Sequence, residues 1–212
     1  MGAGRSELVE GIFGMHALSQ GEIFVHGKRV KISSPEDIIK QGVALITEDR
    51  KVTGLNLSGT VNDNIAMVAI KKLLTHGLYN KGKARRASEE YIEKLNIKTP
   101  SADQIVGNLS GGNQQKIVIA KWLLNDPDII ILDEPTRGID VGAKIEVYHV
   151  MNDLVKAGKC VIMVSSELPE ILAMSDHVVV MRGGRVMANI DRDTPHFNSE
   201  DIMKAAWGGE LD

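Results

Sequence analysis

Two adjacent carboxylates, Asp133 and Glu134, close the aliphatic run Ile129-Ile130-Ile131-Leu132. Such a run fits a buried strand, and ligands of open α/β sheets bind beyond the carboxyl ends of their strands. An aspartate there can hold magnesium directly or through water, and a following glutamate can polarise a water that attacks a γ-phosphate. The plainer alternative is a pair of acids that only caps the next loop. A second candidate is the turn Gly2-Ala3-Gly4-Arg5-Ser6-Glu7 before Leu8. Its glycines can aim backbone amides at a phosphate where a helix opens, and Ser6 can offer a hydroxyl to magnesium. Arg5 supplies a broad guanidinium where a slender ammonium would reach further, and Glu7 sets an acid nearby. The alternative is a glycine turn without a ligand. The third candidate is Leu109-Ser110-Gly111-Gly112-Asn113-Gln114-Gln115, where a hydroxyl and free amides at the positive end of a helix suit an anion. A plain helix cap with flexible glycines reads equally well from those residues alone.

The elements that must hold these groups follow from pattern. Gly21 to Val30 alternates and turns at His26, Gly27 and Lys28, which predicts an antiparallel hairpin. Ser34, Pro35, Glu36 and Asp37 predict a capped helix to about Gln41, stopped by Gly42. Val43 to Ile46 reads as a strand running into the polar cluster Thr47, Glu48, Asp49 and Arg50. From Val61 to about Leu95 the pattern is helical with a break near Thr75 to Lys81, a helical lobe. After Asn108 the pattern becomes α/β. It gives an amphipathic helix from Asn113 to Leu124 with Ile117, Ala120 and Leu124 on its apolar face, a strand Ile129 to Leu132, and a helix near Ala143 to Ala157. Strands Cys160 to Val164 and His177 to Met181 follow, then a turn at Arg182 to Arg185 and one more strand. Apolar runs separated by helices point to a mainly parallel sheet covered on both faces. The tail from Asp191 is weakly patterned.

With 212 residues and 43% hydrophobic positions the chain can bury one full core, so a single domain spanning 1–212 is expected. A net charge of -3, with the basic residues dispersed, leaves no electrostatic footprint for nucleic acid. The lone Cys160 excludes an internal disulfide and, lying in an apolar run, reads as an inert core residue. No apolar run approaches the roughly 20 residues a membrane helix needs, so any membrane role must come through a partner. Because Met1 to Glu7 already read as the middle of a functional loop, the chain is expected to be cut from a longer one.

Taken together, LSGGNQQK at Leu109 to Lys116 and ILDEPTRGIDVGA at Ile131 to Ala143 resemble the ATPases of ABC transporters. They look like the second, C-terminal cassette of the tandem ATP-binding proteins of bacterial ribose, galactose and xylose importers. The resemblance covers nearly the whole chain. It implies a P-loop NTPase-type α/β fold with a small antiparallel region and a helical subdomain at about 58–125. It also implies ATP and Mg2+ as cofactors, and ATP hydrolysis coupled to monosaccharide uptake. By resemblance, Gly2, Ala3, Gly4, Arg5, Ser6 and Glu7 match the Walker A loop, Asp133 the magnesium carboxylate, Glu134 the catalytic glutamate, and Asp140 the loop at the dimer seam. Ser110, Gly111, Gly112, Asn113 and Gln114 match the signature that grips the γ-phosphate held by the opposite cassette. The adenine-stacking aromatic of the family would lie ahead of Met1.

Three positions depart from the family pattern. Arg5 stands for the Walker A lysine, Glu48 for the Q-loop glutamine that faces the metal, and Ser166 for the switch histidine. A carboxylate donates no hydrogen bond unless protonated, and serine neither reaches nor carries charge as imidazole does. The chain's own site is therefore expected to hydrolyse slowly or merely hold nucleotide, while its signature completes a partner cassette's site. The partners implied are the N-terminal cassette of the same protein, permease subunits docking near Glu48 to Met67, and indirectly a sugar-binding protein. The implied location is peripheral, on the cytoplasmic face of the bacterial inner membrane. A non-hydrolysing regulatory module is the alternative. A soluble cassette ATPase of DNA repair or ribosomes would show a heptad insertion or basic arms, and neither is present.

Overall fold

In chain order the elements of the computed structural model are α1 (Arg5–Ile12), β1 (Ile23–Val25), β2 (Lys28–Val30), α2 (Pro35–Lys40), β3 (Val43–Ile46), α3 (Val61–Ala66), β4 (Leu74–Thr75), β5 (Leu78–Tyr79) and α4 (Lys81–Lys94). They continue with α5 (Gly111–Leu123), β6 (Ile129–Asp133), α6 (Val141–Lys156), β7 (Cys160–Val164), α7 (Leu168–Met174), β8 (His177–Arg182), β9 (Arg185–Asp191) and α8 (Ser199–Ala206). The structure describes residues 2–210; Met1, expected in the phosphate loop, and the tail residues Leu211 and Asp212 lie outside the described residues. The chain divides into two units, 39–162 and the pair of segments 1–38 with 163–212.

In the unit 39–162, β3 and β6 pair in parallel, from Val43 opposite Ile129 to Ile46 opposite Leu132. β7 follows in the order β3-β6-β7. All of β3 and residues 130–133 are buried, which is why both runs are continuously apolar. α5 departs from the expected amphipathic helix, because every residue from Gln114 to Leu123 is buried. Two lysines on it keep partners inside. Lys116 donates to the Asn96 carbonyl and, at 2.8 Å, to Glu146. Lys121 donates to the Gly54 carbonyl. Buried ammonium groups persist only with such partners. α3 opens with a capping box between Thr60 and Asp63. The expected break near Thr75 to Lys81 contains the short hairpin β4–β5, after which Asn80 caps α4.

In the other unit, β1 and β2 form the expected hairpin, and its turn places His26 and Gly27 at φ 50° and 73°, the left-handed pair a two-residue hairpin loop requires. β8 and β9 pair antiparallel with an irregularity at Val180/Met181. α8 packs on this hairpin through Ile202 and Ala205 against Val178, Val180 and Ile190. Neither α7 nor α8 was expected from the residue pattern. Asn198 starts α8 by accepting from the Asp201 amide at 2.9 Å, a cap inside an otherwise polar stretch. Cys160 corrects another expectation. It is exposed, since it opens β7, the last strand in the order β3-β6-β7.

Candidate functional site

In the unit 39–162, β6 delivers Asp133 as a carboxyl only 4% exposed at the strand tip. The backbone then turns sharply. Glu134 adopts φ 47°, a conformation costly for a residue with a Cβ, and its carbonyl accepts from the Arg137 amide at 3.1 Å. Asp140 ends this loop by capping α6 at the Ala143 amide, 3.0 Å away. Beyond β3, Asp49 accepts from the amides of Lys51 at 2.9 Å and Val52 at 3.1 Å, and so starts a five-residue π turn, Arg50–Gly54. Glu48 forms an ion pair with Arg137. Glu48, Asp49, Arg50, Lys51, Arg137 and Gly138 line an open hollow of about 280 Å³.

The Ser110–Gln114 segment is built into the same unit. Ser110 is exposed, and its hydroxyl accepts from Asn113 Nδ2 at 3.0 Å and from the Asn113 amide at 3.5 Å. Asn113 in turn accepts from the Lys98 amide at 2.9 Å, and Gln114 donates to the Val106 carbonyl at 3.2 Å. Gly112 is demanded by close approach, because a Cβ there would stand 2.5 Å from the Ala143 Cβ. The structure thus packs the start of α5 against the start of α6, one turn from Asp140.

In the other unit, Gly2 and Gly4 take φ 88° and 82° and lead into α1, whose first amides receive no side-chain cap. A Cβ on Gly4 would meet Gly184 Cα at 2.8 Å. The Gly184 amide donates to the Ala3 carbonyl at 3.0 Å. Arg5 Nη1 donates to the Ser165 carbonyl at 2.5 Å. Ser165 donates its hydroxyl to the buried Glu170 and accepts the Glu167 amide at 3.0 Å, while Ser166 is exposed. Two of the three unusual positions, Arg5 and Ser166, are therefore neighbours through Ser165.

Burial pushes the Lys121 ammonium down to about 8. The hydrogen bond from Lys116 holds the Glu146 carboxyl below its ordinary value. Sequence reasoning assigned no role to Arg50, Arg137, Lys116 or Lys121. Arg137 carried a usable signal, a cation close after two strand-tip acids with Glu48 lacking a partner. The helix lysines carried none, because lysine in a helix ordinarily reads as surface.

This fold and these loops define a nucleotide-binding cassette, and the family profile described as ABC transporter matches residues 1–137; the chain belongs to that family. Among curated relatives, a putative ribose/galactose/methyl galactoside import ATP-binding protein of Geobacillus kaustophilus is 50% identical over 98% of this chain. A xylose import ATP-binding protein of Thermoanaerobacter pseudethanolicus is 50% identical over 99%. The chain spans 41% of the length of each. Among solved structures, cbiO1 of Clostridium perfringens superposes with a TM-score of 0.75 at 22% identity, covering 96% of this chain and 78% of that one. A dimeric ATP-binding cassette bound to ADP and Pi gives 0.75 at 19% identity, covering 91% and 82%. These structures establish the fold, a mixed α/β cassette with a parallel core sheet. Among the described residues no helix is long and apolar enough to cross a membrane.

Proposed function

We propose that this chain is the C-terminal ATP-binding cassette of a bacterial monosaccharide importer, with 1–212 forming one nucleotide-binding domain and about 58–125 its helical lobe. Half-identity over nearly the whole chain to sugar-import ATP-binding proteins carries this reading. ATP is the nucleotide. Gly2, Ala3, Gly4, Arg5, Ser6 and Glu7 form its phosphate loop, with Ser6 offering a hydroxyl ligand to Mg2+. At the tip of β6, Asp133 is suited to Mg2+ by its buried carboxyl and Glu134 to activating water. Bound Mg2+ supplies positive charge against the phosphates. Glu48 enters less directly, because its carboxylate is engaged by Arg137.

The chain's own site is the weaker of two. Arg5 spends one guanidinium nitrogen on the Ser165 carbonyl, and Ser166 offers a short hydroxyl where an imidazole would reach. Ser110, Gly111, Gly112, Asn113 and Gln114, with Asp140 at the seam, serve the site of the N-terminal cassette. Permease subunits dock near Glu48 to Met67 on the cytoplasmic face of the inner membrane, and a sugar-binding protein delivers the substrate to them. A regulatory module that holds ATP without turnover is the second reading, favoured by the Arg5–Ser165 tie. Measuring ATPase activity of the full tandem protein with Glu134→Gln here, against the equivalent change in the other cassette, tests the ranking. The change here is expected to be the milder one; an equal or larger loss from it would reverse the assignment of the weak site.

A further inference from the structure

Arg50 touches three segments of the unit 39–162 at once. From the head of the π turn its Nη1 donates to the Arg137 carbonyl at 2.9 Å and its Nη2 to the Gly138 carbonyl at 3.1 Å. Two successive carbonyls accept the two arms of one planar fork, a geometry lysine cannot supply. Gly138, at φ 66°, sets the second carbonyl. Among the described residues the buried Nε has no hydrogen-bond partner, so the two carbonyls orient the group. The third segment is the start of α5. A Cβ on Gly111 would lie 2.8 Å from Arg50 Nη2 and 3.3 Å from the Gly138 carbonyl oxygen, so Gly111 lies directly against this brace. The far end of the same π turn is pinned to the middle of α5. Lys121 donates to the Gly54 carbonyl, and a Cβ on Gly54 would lie 3.3 Å from Val118. Five residues are thus held against α5 at both ends, and π turns of this kind recur at functional places.

We infer that Arg50 is a positioning residue that locks the Ser110–Gly112 turn to the Arg137–Asp140 loop, so that displacement of the Glu48–Gly54 loop is delivered to both. This rests on the proposed function, in which that turn grips the partner's phosphate and that loop lines the seam. Glu48, paired with Arg137, adds a second strut between the Glu48–Gly54 loop and the Arg137–Asp140 loop.

The test uses the full-length protein. Amide hydrogen exchange without nucleotide is compared between the wild type and Arg50→Lys. Exchange at the amides of Asn113 and Gln114, which donate to Ser110, and of Ala143 and Lys144, which donate to Asp140, is expected to accelerate about tenfold, as fits the loss of a charge-assisted bond, with the β8–β9 hairpin unchanged. In the assembled transporter, Arg50→Lys is expected to lower kcat about tenfold while the nucleotide KM stays within about twofold. Gly111→Ala, which pushes the guanidinium aside, should cost much less on the Arg50→Lys background than on the wild type. Losses that simply multiply, wild-type exchange at Asn113 and Gln114, or an unchanged kcat would each overturn the coupling. A wild-type protein that binds no ATP, with exchange altered as expected in Arg50→Lys, would instead overturn the proposed function and leave the mechanical link standing.

Discussion

Two helices of this molecule begin at glycine-rich turns, and they begin in opposite ways. α5 is completed by the chain itself. Ser110 caps it, Asn113 is fixed by Lys98, Gly112 packs on Ala143, and the helix is buried from Gln114 to Leu123. α1 has only Val9 and Gly11 buried, and its start is shaped by left-handed glycines and the close backbone of Gly184 rather than by any cap. One turn is a finished surface that can be presented to something else. The other is a cradle whose amides suit an incoming anion. The proposed pairing of cassettes with shared sites needs both kinds, and one chain carries one of each.

The largest effect that would break this contrast lies at α1. Gly4→Ala puts a Cβ into the Gly184 backbone at a φ unsuited to it. It is expected to destabilise the chain by about 2–4 kcal/mol in urea unfolding and to weaken ATP binding at least tenfold by titration, judged by the cost of strained and overpacked positions. Nucleotide binding equal to wild type would show that the cradle is no cradle.

The burial of α5 is sharpened by Lys121, 6% exposed. Its folded pKa is about 8 against an ordinary 10.5, so between those values the unfolded chain holds a proton that the folded chain has released. Stability should therefore rise across that window by roughly 1 kcal/mol per pH unit, and level off on either side. Lys121→Met should remove this rise, as read from the difference between the two proteins' unfolding midpoints at each pH. The smallest effect is at the cap. Ser110→Ala is expected to cost about 1 kcal/mol of stability while leaving the chain's own nucleotide affinity unchanged. A tenfold loss of that affinity would mean that Ser110 serves its own chain's site.

Both strands Val43–Ile46 and Cys160–Val164 were read to the residue from their continuous apolar runs, although burial on both faces explains only the first, since the second has exposed and half-buried positions. Helix starts with a chemical cap, such as Pro35 after Ser34, were equally plain. α5 was placed but its surroundings were misjudged, because Lys116 and Lys121 look like solvent-facing residues until the carbonyls that receive them are seen. α8 escaped notice because its apolar contacts, Ile202 and Ala205, meet a hairpin rather than following a long periodic stripe. Of the candidate site, residue types and spacing marked the strand-tip acids and both glycine turns. Pattern could not reveal that Arg50 knits the loops together, since its grip is on backbone oxygen, which leaves no trace in side-chain chemistry.

Glu134 sits in a left-handed conformation that a residue without a side chain would adopt at ease. Glu134→Gly should thus yield a sturdier cassette and, in the role proposed for Glu134, a chemically mute one. The backbone here favours a residue with no Cβ: among variants selected only for folding, the acid would be discarded early.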